Sequence, residues 1–162
     1  MENKKVIILG SSRSKGNTAN SIAAISEKHN IDVIDLNNYT ISYYDYESKN
    51  LNDDFLPLIK SIIENYDTLI FATPVYWYNM SGIMKVFFDR FSDLIRVEKE
   101  TGRKLKGKNM FVISNSHSDR IEKSFYIPFQ KSAAYLGMNY TGELHLNADK
   151  IKDFNNIELI QL

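Results

Sequence analysis

Gly10-Ser11-Ser12-Arg13-Ser14-Lys15-Gly16-Asn17-Thr18 decides the reading of this chain, because it joins a short apolar run, Val6-Ile7-Ile8-Leu9, directly to a helix-forming segment. The run is rich in β-branched residues and is stopped by glycine, as expected of a strand buried on both faces of a parallel sheet. Ala19, Ile22, Ala23 and Ile25 then recur at helical spacing as far as Lys28, and Ile31 to Leu36 reads as a second strand. A strand, a Gly/Ser loop, a helix and a second strand make a crossover unit, right-handed almost without exception.

Working outward, Asn37 to Asn52 is polar and rich in tyrosine (Tyr39, Tyr43, Tyr44, Tyr46), and reads as a long surface connection. Asp53 or Asp54 can cap a helix whose stripe is Phe55, Leu58, Ile59, Ile62 and Ile63, with Pro57 tolerated in the first turn. Asp67 to Thr73 is a third strand, ending at Pro74. Ser81 is a good N-cap for a helix to about Val97, whose Ile83, Met84, Phe87, Phe88, Phe91, Leu94 and Ile95 make an apolar face wider than one sheet covers. On that helix, Lys85 and Asp89 are spaced for an i,i+4 pair, and Lys85, Asp89 and Arg90 are expected on a solvated or interface face. A basic turn at Lys104 to Lys108 precedes a fourth strand at Asn109 to Ser114, a helix at Glu122 to Leu136 and a final strand at Met138 to Leu146. The tail from Asp149 to Leu162 is expected to close with a short helix. Five strands alternating with helices imply an α/β fold, a three-layer, doubly wound parallel sheet. No repeat or linker interrupts residues 1–162, so one domain is expected.

Composition narrows the function. With 162 residues, 43% of them hydrophobic, the chain can bury a core unaided. Twenty basic residues balance twenty acidic ones, without a block of either sign, which points to neither nucleic acid nor a membrane surface. Zero net charge is a poor defence against self-association and favours an oligomer. There is no cysteine, which excludes disulfides, thiolate catalysis and Cys-ligated zinc or iron–sulfur clusters. The apolar run before Gly10 is too short for a signal peptide and no stretch is long enough to span a bilayer, so the cytoplasm is the expected compartment.

Doubly wound sheets bind ligands beyond the carboxyl ends of their strands, where the strand order reverses. The loops of interest are therefore Gly10 to Thr18, Thr73 to Ser81 and Ser114 to Asp119. The first is suited to phosphate: helix-start amides and the positive end of the helix dipole attract an anion, the hydroxyls of Ser11, Ser12, Ser14 and Thr18 can donate, and Gly16 allows close backbone approach. Arg13 adds a charge-assisted contact. Gly10 and Gly16 do not fit a Gly-x-Gly-x-x-Gly dinucleotide fingerprint, and Gly16-Asn17-Thr18 lacks the lysine of a Walker loop. A terminal monophosphate, as on FMN, is what remains.

The second loop, Pro74-Val75-Tyr76-Trp77-Tyr78-Asn79-Met80-Ser81, sets three aromatics in a row, which cannot all point into one core. A flat ring system can use such a loop through apolar contacts and hydrogen bonds from amides and Asn79. In the third, Ser116, His117 and Asp119 sit too close together for a nucleophile–base–orienter geometry, and no Gly-x-Ser-x-Gly elbow accompanies them. His117 is expected beside the ring or in solvent. His29 and His145 lack the carboxylates of a metal site, and no metal is expected.

Gly-Ser-x-Arg-x-x-Gly-Asn-Thr after the first strand, with Pro-Val-Tyr-Trp-Tyr-Asn-Met-Ser-Gly-x-Met-Lys-x-Phe-x-Asp-Arg at Pro74 to Arg90, resembles the NADPH-dependent FMN reductases and flavodoxin-like oxidoreductases. The resemblance implies a strand order of 2-1-3-4-5, FMN as cofactor and NAD(P)H as co-substrate. Electrons would pass to a quinone, free flavin, nitro or azo compound, or to a protein. It implies that Ser11, Arg13, Asn17 and Thr18, with Ser14 and Gly16 in the same loop, hold the FMN phosphate. Pro74, Val75, Tyr76, Trp77, Tyr78 and Asn79 would line the isoalloxazine, and Asn115, Ser116 and His117 would lie nearby. It also implies a homodimer or homotetramer with FMN near the interface, for which the apolar face of residues 81–97 is the candidate. Two departures stand out: no cysteines follow the second strand, and the third loop lacks the glycine pair that many relatives place beside the flavin. A flavodoxin-type electron carrier without nicotinamide binding is the alternative, against which the absence of net charge argues.

Overall fold

Five strands, β1 (Lys5–Leu9), β2 (Asp32–Asp35), β3 (Thr68–Pro74), β4 (Asn109–Ser116) and β5 (Asn139–Asn147), pair in parallel in the order β2-β1-β3-β4-β5 in the computed structural model, which describes residues 3–150. This is the expected doubly wound sheet. Successive residues of a strand face opposite sides. Accordingly Ile7 and Leu9 pack with Ile22 and Ile25 of α1 (Asn17–His29) on one face, while Val6 and Ile8 pack with Phe55, Ile59 and Ile62 of α2 (Phe55–Asn65) on the other. β3 is buried along its whole length, as its continuous apolar sequence requires of a central strand. Residues 151–162, where a closing helix was expected, lie outside the described residues.

The segment expected as one helix from Ser81 to Val97 is divided into α3 (Gly82–Asp89) and α4 (Phe91–Arg96), followed by a short α5 (Lys99–Arg103) that the periodicity did not reveal. Ser81 caps α3 as expected, its hydroxyl accepting from the Met84 amide at 3.2 Å. The Lys85–Asp89 pair also forms, at 2.6 Å on the surface. Arg90, expected on a solvated face, is instead fully buried. Its Nε donates to Asp93 at 2.6 Å, its Nη1 to Asp53 at 2.5 Å and to the Ser42 carbonyl at 3.1 Å, and its guanidinium lies 4.8 Å from the Phe55 ring centre. A straight helix can bury only one stripe. The bend at Arg90 lets Phe87, Phe88 and Phe91 wrap around Phe71, with ring centres 6.5, 4.8 and 6.3 Å away. The phenylalanines are therefore spent within the protomer, and the expectation that they were surplus to one core is corrected.

The same arginine organises the tyrosine-rich connection. Ser42 donates its amide to Asp53 and Thr40 to Asp54, at 2.8 and 2.7 Å, so both candidate capping aspartates also pin this segment. Asp53 additionally accepts from the Phe55 amide at 3.0 Å, whereas Asp54 makes no such bond to α2. The helix expected over 122–136 begins with a 3-10 turn (Lys123–Tyr126) that passes into α6 (Ile127–Leu136), where Pro128 occupies the first turn. Among the described residues no helix is long and apolar enough to cross a membrane.

Candidate functional site

The strand order reverses between β1 and β3, and the loops that follow β1, β3 and β4 converge there. After β1, Gly10 donates its amide to the Ala72 carbonyl at 2.8 Å, and its own carbonyl accepts from the Ser81 hydroxyl at 2.6 Å. A Cβ on Gly10 would lie 2.9 Å from the Cβ of Met84, so only glycine lets α3 approach this strand end. Asn37 then fixes the loop from outside by donating to the Ser11 carbonyl at 2.5 Å.

α1 starts after Gly16 with no side-chain cap. The amides of its first turn therefore have no partner within the helix, and the positive end of a 13-residue helix faces the loop. A Cβ on Gly16 would come within 3.3 Å of the Cβ and Nε of Arg13, so a side chain there would fill the cradle. The hydroxyls of Ser11 and Thr18 are buried beside it. Ser14 is exposed and stands outside the cavity that these residues line.

In the second loop, Thr73 accepts from the Ser81 amide at 3.0 Å, closing the loop at its base. Tyr76 and Asn79 exchange backbone hydrogen bonds of 2.9 and 3.0 Å around a two-residue tip. The tip residues, Trp77 and Tyr78, have φ of 48° and 64°. Both central residues of such a tight turn need positive φ, which asparagine and glycine adopt readily and bulky aromatics do not. Strain of about 1–3 kcal/mol per residue is thus stored beside the site. Trp77 is 93% exposed. Tyr76 reaches back to the first loop, its hydroxyl 3.0 Å from that of Ser12. The Asn79 side chain accepts from the Met80 amide at 2.8 Å, which supports the turn.

In the third loop Asn115 is buried and links the other two. It accepts from Thr18 at 3.4 Å, donates to Ser21 at 3.1 Å, and gives its carbonyl to the Val75 amide at 2.9 Å. His117 pairs with Asp149 at 3.0 Å on the surface.

Two cavities result. One of about 280 Å³ is lined by Ser11, Arg13, Gly16, Asn17, Thr18, Pro74, Val75, Tyr76, Asn115, Ser116 and His117. The other, of about 730 Å³, takes Trp77 and Tyr78 with Ser118, Arg120, Ile121, Glu122, Ser124 and Phe125, and shares Val75 and Ser116 with the first. The segment from Arg120 to Phe125 was not anticipated: its aperiodic, polar sequence carries no ligand signature, and only the descent of the chain from β4 to α6 brings it beside Trp77. A hollow of about 640 Å³ lies away from these loops, between α4, α5 and the end of α6.

Comparison with known proteins agrees with this geometry. The family described as NADPH-dependent FMN reductase matches residues 3–153. A Bacillus subtilis (strain 168) protein carrying the name NAD(P)H-dependent FMN-containing oxidoreductase YwqN is 28% identical over 149 residues, which cover 86% of this chain and 82% of the relative. The solved structure of the Trp repressor binding protein from Bacillus subtilis has a TM-score of 0.69 at 26% identity, covering 88% of this chain and 83% of that one. An FMN-dependent NADH-azoreductase from Bacillus anthracis, solved with FMN, shares the fold, with a TM-score of 0.65 at 14% identity over 94% of each chain. Matched over nearly its whole length, this chain belongs to the NADPH-dependent FMN reductase family and is an FMN-dependent NAD(P)H oxidoreductase.

Proposed function

We propose that the smaller cavity holds the phosphate end of FMN against the start of α1, and that the ring extends between the second and third loops toward the larger cavity, where NAD(P)H and then a small acceptor are received. The observation that carries this reading is the junction of the two cavities at Val75 and Ser116, with hydroxyls, free amides and Arg13 on one side and aromatic side chains on the other. At about 280 Å³ the smaller cavity lies below the ~300–1,000 Å³ of whole-ligand sites, which suits one end of a longer molecule. FMN held there would supply the redox chemistry, hydride acceptance and electron donation, that the side chains themselves lack. The chain binds, orients and excludes water. Arg13, Ser11, Thr18 and the first amides of α1 neutralise the phosphate; Pro74, Val75 and Tyr76 form an apolar wall for the ring; Asn115 keeps the loops in register. The acceptor class is a quinone, free flavin, nitro or azo compound. Anaerobic mixing of the FMN-loaded protein with NADPH and with NADH should bleach the flavin. Stable yellow colour with both would favour the electron-carrier alternative.

Trp77 belongs to the wall of the larger cavity in this reading. Because it is 93% exposed, Trp77→Ala should leave the melting temperature of the apo protein nearly unchanged. It should loosen FMN by about 1–3 kcal/mol, the range for losing a stacked aromatic contact, and brighten the fluorescence of the bound flavin. A large drop in melting temperature with unaltered FMN affinity would contradict this role.

A homodimer is part of the proposal, with its contact moved from the phenylalanines, which are internal, to the apolar residues that remain exposed on and near α4 and α6. These include Ile95, Val97 and Tyr135. Sedimentation at tens of micromolar should show a dimer that Ile95→Lys with Tyr135→Lys converts to a folded monomer. A wild-type monomer would refute it.

A further inference from the structure

His145, on β5 behind the third loop, has both ring nitrogens engaged. Its Nδ1 lies 2.8 Å from the Ser114 hydroxyl, which lies 2.7 Å from the hydroxyl of Tyr126. Its Nε2 lies 2.9 Å from the Ser118 carbonyl and 3.1 Å from the Ser116 hydroxyl. The carbonyl at one end of this chain determines where the protons sit. A carbonyl oxygen only accepts, so Nε2 carries the ring hydrogen and donates to Ser118. With the ring hydrogen on Nε2, Nδ1 is an acceptor, so the Ser114 hydroxyl donates to it. With its proton committed to Nδ1, Ser114 accepts from the hydroxyl of Tyr126. The order of donation is therefore Tyr126 to Ser114 to His145 to Ser118.

The consequence falls on Ser116. One lone pair of its hydroxyl receives the Ser118 amide at 3.1 Å, and the other faces the Nε2 hydrogen of His145. Nε2 carries a proton and cannot accept. The hydroxyl hydrogen of Ser116 is thus left without an acceptor among the described residues, on a side chain that lines both cavities.

We propose that Ser116 is a dedicated hydrogen-bond donor at the meeting point of the two cavities, serving a carbonyl oxygen or ring nitrogen of a bound heteroaromatic ring, with His145 as the positioning residue that sets its polarity. The proposal rests on the reading of the cavities given above. The acceptor atom belongs either to the flavin or to the nicotinamide carboxamide, which present the same chemistry. From β5, His145 ties down the third loop through the Ser118 carbonyl and the Ser116 hydroxyl.

Nitrogen NMR of the His145 ring in the apo protein tests the polarity without any flavin, and hydrogen on Nε2 is expected. Hydrogen on Nδ1 would overturn it. In the loaded protein, Ser116→Ala should weaken one ligand by about two- to tenfold, the loss of a single neutral hydrogen bond, with Ser116→Thr close to wild type. If the flavin is served, the FMN Kd and the flavin midpoint potential change while KM for the nicotinamide does not; if the nicotinamide is served, KM rises alone. His145→Phe should reproduce the same change and His145→Gln, which offers an amide N–H and a carbonyl in similar places, should reverse it. Ser116→Ala without effect on Kd, potential or KM ends the donor assignment, and His145→Phe altering only the melting temperature ends the positioning role. A chain that binds neither FMN nor nicotinamide overturns the reading of the cavities, and the ligand-facing half of the proposal with it.

Discussion

Replacing Arg13 and Thr18 together by alanine is expected to weaken FMN by two to four powers of ten while riboflavin binding changes little. The amplitude follows from the chemistry of the first loop. A hydrogen bond to a charged group contributes about 1.5–3 kcal/mol, so two lost contacts to a phosphate amount to about 3–6 kcal/mol, at about 1.4 kcal/mol per tenfold. The Arg13 side chain makes no hydrogen bond that holds it elsewhere among the described residues, and it borders the space left open by Gly16. Thr18 is buried, and its bond to Asn115 is long at 3.4 Å, so its hydroxyl can exchange that partner for a better acceptor. Thr18→Ser, which keeps the hydroxyl, should recover most of the Thr18 share. Titration of both ligands, followed by flavin fluorescence, separates the outcomes. Equal weakening of FMN and riboflavin would remove the phosphate from this loop.

Arg90→Met should be the most destabilising single exchange away from the site, by about 3–5 kcal/mol, because it leaves Asp53 and Asp93 buried without their cation. Against a total of about 5–15 kcal/mol for a domain, this is a large share. The tyrosine-rich connection should loosen first, since Arg90 also holds the carbonyl of Ser42. The effect carries a pH signature. Burial pushes the Asp53 carboxyl up, but hydrogen bonds from Arg90 and from the amides of Ser42 and Phe55, with the Arg90 charge, hold it below the ordinary aspartate value. A depressed carboxylate adds stability that is complete above the unfolded-state value of ~3.9 and is lost as pH falls through the folded value. In Arg90→Met the sign reverses: Asp53, buried without its arginine, takes up a proton more readily than in the unfolded chain, so acid relieves the defect. Urea midpoints at neutral pH and near pH 4 should therefore differ widely between the two proteins at the first and converge at the second. A midpoint unchanged by the substitution at neutral pH would show that the buried pair contributes nothing.

Arg90 also shows where sequence reading stops. Its neighbours follow a helical period without interruption, and nothing local distinguishes a bend at position 90 from a straight run to Val97. The bend comes from Asp53, 37 positions away, and from phenylalanines that all need contact with Phe71. Within the site, the bond from the Met80 amide to the Asn79 side chain was equally illegible, since it depends on the geometry of the strained turn. The contribution of His145 was invisible for a related reason, since it depends on the register that places it opposite Ser114 in the sheet.

What the sequence alone determined is the alternation of strands and helices, the loops that converge where the strand order reverses, and the residues that line the smaller cavity. These follow from local rules, apolar period, glycine and proline punctuation and helix-start chemistry, and each acts within a few residues along the chain. The tertiary structure alone decided the division of the helix at Arg90, the inward turn of its phenylalanines, the part of the second cavity built from Arg120 to Phe125, and the direction of the hydrogen-bond chain through His145. Each of these is a choice among partners distant in sequence, and such a choice is made only when packing has removed water as the competing partner for every buried charge and hydroxyl.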